Sequence, residues 1–597
     1  MKKYIPTGNE MISLPKINEA TAGIEDFTFL SMQHKGMIEV RGTEEAPLIK
    51  PFFMVNNQPM PLTYIRWHRD HYWLPVMNAQ AGSLSVSMTI LPPIRERGFA
   101  VKLTMSSAES VSVRWGLEGC WASNWHCVNE DKELSGTMNC YKSGWNSGVI
   151  FDYSCGYPMF AFAPMSDRNS EVMYTKSESG INYSLFCEEK LVPGETACLV
   201  FYWGLGFEEV AAATSAKEML RQGWDSEYTR TCRWLEQRSR TLHTAKFTDL
   251  YNTNLFFCIF YSTGLTLDTE EFICATSRST RYYVSAAYWD RDVLFWAFPA
   301  ILETDPSIAR EILDYVFGRQ RKNLGIHSRF IDGTVLEPGF ELDELMAPVI
   351  ALTSYVRRTG DRVILEESNI KAGISLILER LDQYRHPEIS LYETFLQPTD
   401  DEIVHPYLTY DNMLVWHAFE DLAWCYPDTY RHLHEEAERV KQAIYKYCVF
   451  KDAHGMSYFG WSTDLNGRHD IYDEPPGSLQ LLPYYGFCSD KDEIWRNTVS
   501  MIRSADYTYS FAEMPIAEIG CPHAPYPWIL SLGNSMLSGH ALQAWKELEI
   551  MEMDNNIACE SVDPVKGICT TGAAFATCAG FLCHCMITAY KEGIYAK

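Results

Sequence analysis

The 597-residue chain has no Cys-x-x-Cys pair and no apolar run near the ~18 residues that a membrane-spanning helix needs. Its 18 cysteines are scattered. The one tight cluster, Cys583-His584-Cys585, lies in an apolar stretch, where neighbouring helical positions do not face one centre. No calcium- or zinc-type ligand set is evident, so neither metal nor cofactor is expected. The thiols read as buried and reduced, which predicts a cytoplasmic protein. Lys2 and Lys3 are not followed by the apolar stretch of a signal peptide. Positive charge is scarce too. Against 77 Asp and Glu stand 51 Lys and Arg, a formal net charge of −26. That balance argues against nucleic acid or an anionic membrane as partner and suits a neutral ligand.

What the chain does have is apolar and aromatic material, 46% and 13% of residues, enough for large cores. At this length more than one domain is expected. Residues 1–206 carry short alternating or β-branched runs, such as SLSVSMTILPP and FAVKLTMSSAESVSVRWGLEG, separated by Gly, Pro, Asn and Ser. This predicts a β-sandwich. Residues 207–245 are charged, helical in period and free of proline, and read as a helical linker. From 246 to 597 about ten to twelve helical segments follow in hairpin style, among them SIAREILDYVFGRQRK and TYRHLHEEAERVKQAIYKYCVF. A solenoid or a closed (α/α)6 toroid would fit, and the lack of a fixed-period repeat favours the toroid.

In this helical half, carboxylates recur at helix starts. They stand in YWDRDVLFW (Trp289, Arg291, Asp292), in EPGFELDELMAP (Glu341, Asp343, Glu344), in QPTDDE (Asp400, Asp401, Glu402) and in ACESVDPVKG (Glu560). Taken singly, each reads as ordinary charge complementing a helix N-terminus. Together they fall at the same end of alternate helices, which a toroid would gather into one funnel. Acids crowded there, with aromatic walls from Trp289, Trp296, Trp416 and Trp528, would be costly unless used. Paired carboxylates with aromatic platforms are what glycoside hydrolysis needs. One acid protonates the leaving oxygen, and the other activates water or attacks the sugar.

Six stretches in order resemble the metal-independent exo-α-1,6-mannosidases, glycoside hydrolase family 125. They are YWDRD at 288, FELDELMAP at 340 with TGD at 359, QPTDDEIVHPYLTYDN at 397, YDEPPGSLQLLPYYGF at 472, IGCPHAPYPW at 519 and ACESVDP at 558. The resemblance does not reach the first ~240 residues, but a β-sandwich ahead of a six-hairpin (α/α)6 barrel is also the layout of glucoamylase-like and kojibiose-phosphorylase-like enzymes. It implies an exo-acting, inverting α-glycosidase, most nearly an α-mannosidase, with an oligosaccharide or glycoside substrate. Glu560 would be the general base, and one of Asp400 and Asp401 the general acid. Similar toroids favour the first of such a pair, so Asp400 is the expected acid, with Asp401 holding the sugar or raising its neighbour's pKa. Arg291 and Asp292 would grip hydroxyls of the terminal sugar, with Glu341 and Asp343 nearby in the substrate site, and Trp289, His523 and Trp528 would line the pocket.

A rival acid is Asp411, since YDNMLVW resembles the Asp-Asn before a helix in other toroidal glycosidases, although an aspartate there is also an ordinary N-cap. Departures from the family pattern cluster where hydroxyls would be read. Gln397 replaces an arginine, Asp473-Glu474-Pro475-Pro476 replaces Asp-Asp-Ala-Asn, Cys559 replaces a histidine, and HSRFIDGTVLEP replaces an Asp-Pro-Tyr stretch. An α-glucosidase, a disaccharide phosphorylase or a non-catalytic carbohydrate-binding protein are the alternatives. A phosphorylase would need a basic cluster near Glu560, and none is seen. The sandwich could cap the barrel, shape the pocket rim or support a homodimer.

Overall fold

The computed structural model describes residues 2–43, 45–144, 146 and 148–595. It divides into two compact units. The first holds Met1–Ser239 with two later segments, Thr263–Ile273 and Arg278–Ala286. The second holds Arg240–Ser262, Cys274–Ser277 and Ala287–Lys597.

The first unit is built from antiparallel sheets of eight, six and five strands. Its longest pairing runs Val111–Trp121 against Gly180–Leu191 over eleven residues. The strands alternate as a half-buried sheet requires: in Leu84–Leu91, Val86, Met88 and Ile90 point inward while Ser85 is exposed. The inward residues merge into one core across the sheets, with Phe29 and Ile38 from one, Phe162 and Trp203 from another, and Trp115 and Leu185 from the third. Helices Glu209–Gln222 and Trp224–Arg238 belong to this unit. The first lays Ala212, Ala213 and Ala216 against the sheet at a helical spacing.

The second unit is an (α/α)6 toroid. Outer helices are amphipathic: Leu433–Tyr447 buries Leu433, Ala437, Val440 and Ile444, a single stripe, and exposes charge elsewhere. Inner helices are apolar almost all round, as in Leu342–Thr359, Thr409–Cys425 and Ala576–Lys591. Local sequence fixes the outer starts. Asp305 caps Pro306–Tyr315 by accepting from the Ser307 amide at 3.0 Å, and Asp492 caps Glu493–Ile502 through the amides of Ile494 and Trp495. Gly360, at φ 75°, ends Leu342–Thr359 in the left-handed region that a side chain would disfavour. The ring closes where Ala576–Lys591 meets Ala245–Ser262 and Asp292–Thr304. A Cβ on Gly580 would lie 2.7 Å from both Cys258 Sγ and Ala297 Cα. Among the described residues no helix is long and apolar enough to cross a membrane.

Candidate active site

The carboxylates of the sequence reading all stand at the starts of inner helices or in the loops before them. Asp292 opens the π-helical turn Asp292–Ala297, Glu341 precedes Leu342–Thr359, Asp411 is in the first turn of Thr409–Cys425, and Thr577 is in that of Ala576–Lys591. Ring geometry therefore draws residues far apart in sequence to one end of the barrel.

Arg291 is the centre of the arrangement. It is fully buried, and its guanidinium donates to Glu341 at 2.6 Å, to Asp343 at 3.1 Å and to Asp400 at 2.5 Å. His327, on strand Ile326–Arg329, adds a second cation. Its Nδ1 lies 2.5 Å from Glu341 and 3.6 Å from Asp400, and its Nε2 is 3.3 Å from Glu337. Burial opposes charge on His327, but the hydrogen bond to Glu341 and the nearby Asp400 outweigh it and lift its pKa to about 9. Beneath this layer Glu344 accepts from the amides of Asp290 and Arg291, at 2.5 and 2.9 Å, which fixes the backbone that presents Arg291. Asp290 pairs with buried Arg329 and accepts from the Tyr288 hydroxyl at 2.6 Å. Sequence reading missed His327, Asp290 and Arg329, and named Glu344 only as a carboxylate at a helix start. His327 and Arg329 lie in the stretch without a family counterpart, and their roles depend on chain crossings no local pattern encodes.

The cluster holds more acid than base, so part of it must be neutral. Burial raises Glu341 to about 7 against the pull of Arg291 and His327. It raises Asp292 to about 8, with Arg291 opposing and Asp400 adding; the Thr577 hydroxyl donates to Asp292 at 3.3 Å. Asp411 is the extreme case. It is fully buried, and neither carboxyl oxygen has a hydrogen-bond partner among the described residues. Burial, followed by the negative charge of Asp343, pushes it far above the usual carboxylate range. Arg291 Nε and Trp289 Nε1 are likewise buried and without a partner among the described residues. Orphaned donors and acceptors gathered at one spot are what a polar ligand satisfies.

The acid-bearing loop is clamped from three sides. Within it, the Asp400 amide donates to the Gln397 carbonyl at 2.8 Å and the Gln397 amide to the Asp401 carbonyl at 2.9 Å, with Asp400 at φ 69°. The amides of Phe395 and Leu396 donate to the Phe340 carbonyl, tying the loop to Glu341. Glu474 grips Thr399 by amide and hydroxyl, each at 2.9 Å. Gln397, which stands where the family has arginine, accepts from the Trp461 indole at 3.2 Å. Pinned in this way, Asp400 faces Arg291 while Asp401 turns outward, half-exposed and 3.5 Å from His523 Nδ1.

His523 continues the wall. Its ring lies 6.3 Å from that of Trp528, whose indole donates to the Ala524 carbonyl at 2.9 Å. Trp528 bridges in turn to Ser561, and the Ile529 amide donates to the Glu560 carbonyl at 3.0 Å. Glu560 is 2% exposed and is held between that contact and its own amide's bond to Gly572. Contacts thus lead without a break from Asp401 to the segment of Glu560. Trp289 stands edge-on to His327 at 5.7 Å, and Trp296 packs on Phe575. Trp416 does not join them. It follows Asp411 by five residues, roughly 140° around the helix, and packs on Phe487 beneath Lys441 of an outer helix.

His327, Glu341 and Asp400 place ligand atoms within 4.8 Å of one another, as do Glu39, Cys127 and Asp131 of the first unit. In the toroid the guanidinium of Arg291 already brings the positive charge that a cation would supply. In the sandwich Lys16 does so, 2.9 Å from Glu39.

Comparison with known proteins adds a family. Residues 384–586 match the family model described as metal-independent α-mannosidase, glycoside hydrolase family 125. No curated protein matches the chain. Among solved structures, a bacterial glucoamylase complexed with acarbose aligns over 99% of this chain and 95% of its own at 11% identity, with a TM-score of 0.62. A protein described as a kojibiose phosphorylase from human microbiome aligns over 92% and 79% at 11% identity, with a TM-score of 0.57. A Streptococcus pneumoniae metal-independent α-mannosidase, in a non-productive complex with α-1,6-mannobiose, aligns over 58% and 94% at 16% identity, with a TM-score of 0.49. At such identities the full-length matches speak for the fold, an antiparallel sheet unit followed by an (α/α)6 toroid.

Proposed function

We propose that this chain, whose residues 384–586 match the model of glycoside hydrolase family 125, is an exo-acting, inverting α-mannosidase. The observation that carries the reading is the joint position of two features. The matched segment contains both the Asp400–Asp401 loop and Glu560, and the orphaned buried groups Trp289 Nε1, Arg291 Nε and Asp411 belong to the cluster that clamps that loop.

In the proposed reaction Glu560 takes a proton from water as the water oxygen attacks the anomeric carbon. The opposite carboxyl gives its proton to the glycosidic oxygen as that bond breaks. An α-mannoside then yields β-mannose and the free alcohol; Glu560 releases the proton it took to solvent, and the acid regains one from solvent. Family resemblance favours Asp400 as the donor. The geometry supports Asp401 instead, because Asp400 accepts from Arg291 at 2.5 Å and would have to break that pair to act as an acid. Asp401 is open to the ligand side and is paired only loosely, with His523. Asp400, Glu341 and Asp343 then serve to hold Arg291, and Asp292 and Asp411 meet sugar hydroxyls.

Hydrolysis of α-1,6-mannobiose followed by proton NMR is expected to show the β-anomer first. Glu560→Gln should lower kcat by about a thousandfold or more. Asp401→Asn should lose most of its rate on the mannobiose yet keep most of it on α-mannosyl fluoride, whose leaving group needs no proton. Asp400→Asn should lose rate on both. The reverse pattern would return the acid to Asp400. A rate that depends on phosphate and releases a sugar 1-phosphate, or no turnover of any α-mannoside, would overturn the reading.

A further inference from the structure

The inner helices that begin at the acidic cluster line a cavity along their length. It has a volume of about 400 Å3 and lies wholly within the toroid. Phe298 and Leu302 reach it from Phe298–Thr304, Ile350 and Ser354 from Leu342–Thr359, and Phe581 and His584 from Ala576–Lys591. Its wall nearest the acidic cluster is Leu294 and Phe295, just after Asp292, while Ser354 lies ten residues beyond Glu344, roughly 15 Å along its helix at ~1.5 Å per residue.

Two observations point to a ligand. The first is charge. In a chain with a net charge of −26, the cavity is lined by Arg357, Arg358 and Lys591 against a single acid, Glu303. Lys591 pairs with Glu303, and Arg357 pairs with Asp421 at 2.5 Å. Arg358 has no carboxylate within ion-pair distance among the described residues. The second is an orphaned polar atom. His584 Nε2 meets the Tyr484 hydroxyl at 2.8 Å, while its Nδ1 is buried with no partner among the described residues. Nδ1 is a free donor where the Tyr484 hydroxyl donates to Nε2 and a free acceptor where Nε2 donates to the hydroxyl. Burial, with Glu303 opposing, lowers the His584 pKa to about 4, so the ring stays neutral in ordinary buffers. Leu294, Phe295, Phe298, Leu302, Ile350 and Phe581 supply apolar walls, and His417 and Tyr485 also line the cavity.

We propose that this cavity is a binding site, separate from the acidic cluster, for a small apolar or aromatic molecule bearing one anionic group. Its body lies on the Phe298, Ile350 and Phe581 walls, and its anion meets Arg358 at the mouth. Volumes of this size and apolar walls with few polar groups are usual for small-molecule sites.

The probe is 1-anilinonaphthalene-8-sulfonate, titrated into the full chain at low ionic strength and read by its fluorescence. One saturable site per chain is expected. Arg358→Glu, an exposed change, should weaken it by about tenfold. Ser354→Phe, which fills the space, should remove it while the melting temperature stays within a few degrees. The uncharged analogue N-phenyl-1-naphthylamine should bind at least about tenfold more weakly. Equal binding of the neutral analogue, unchanged binding in Arg358→Glu, or the absence of a saturable site that Ser354→Phe removes would each overturn the proposal.

Discussion

Arg291 is surrounded by three carboxylates in hydrogen-bond contact, and a fourth, Glu344, lies 3.7 Å away. Removing a buried cation from such a set strands charges that paired burial had made tolerable. Arg291→Met should therefore lower stability by about 3–5 kcal/mol, measured by chemical denaturation. Arg291→Lys should recover only part of it, because a single ammonium cannot reach Glu341 and Asp400 in the two directions that the fork does. His327 gives a pH-dependent counterpart. Its folded pKa of about 9 lies above the usual value near 6.5, so its stabilising effect is complete below about pH 6.5 and is lost as pH climbs through about 9. The melting temperatures of wild type and His327→Gln should differ most at pH 6 and converge by about pH 10. A gap that widened with pH would contradict this pairing.

At the scale of elements, Gly580 decides how closely the last inner helix can approach its neighbours. Alanine there gains about 1 kcal/mol of helix propensity. Its Cβ, however, would sit 2.7 Å from Ala297 Cα and 2.8 Å from the Trp296 carbonyl, backbone atoms that cannot rotate away. Overpacking of about 1–3 kcal/mol should win, so Gly580→Ala is expected to lower the melting temperature, read by calorimetry. The helices themselves were legible in the sequence. Leu433–Tyr447 announces itself by its stripe, and Pro306–Tyr315 by the Asp-Pro pair at its start. The acid loop was legible by type, since two adjacent aspartates behind a proline before a helix are a local pattern. What the loop binds was not. That Asp400 turns toward Arg291 and Asp401 away follows from a left-handed backbone at Asp400 and from Glu474 gripping Thr399 across 75 residues. Trp416 illustrates the converse: composition marked it as a pocket wall, and helical phase turned it toward Phe487.

For the molecule as a whole, a net charge of −26 means that each unit carries self-repulsion which salt can screen. Raising sodium chloride from about 20 to 200 mM should raise the melting temperature by a few degrees in scanning calorimetry. A fall would mean that local ion pairs outweigh the net field.

The closure at Gly580 carries one more consequence. The Cys583 thiol donates to the Tyr251 carbonyl across 332 positions of sequence, and the Ala558 amide meets Asn254 across 304. Contacts of such high order form late and slowly, after the intervening hairpins exist. During synthesis the segment around Asn254 therefore emerges long before its partners, with its apolar faces uncovered and prone to association. Because Glu560 lies on the late-arriving side of this seam, the proposed general base takes its place only once the barrel is sealed.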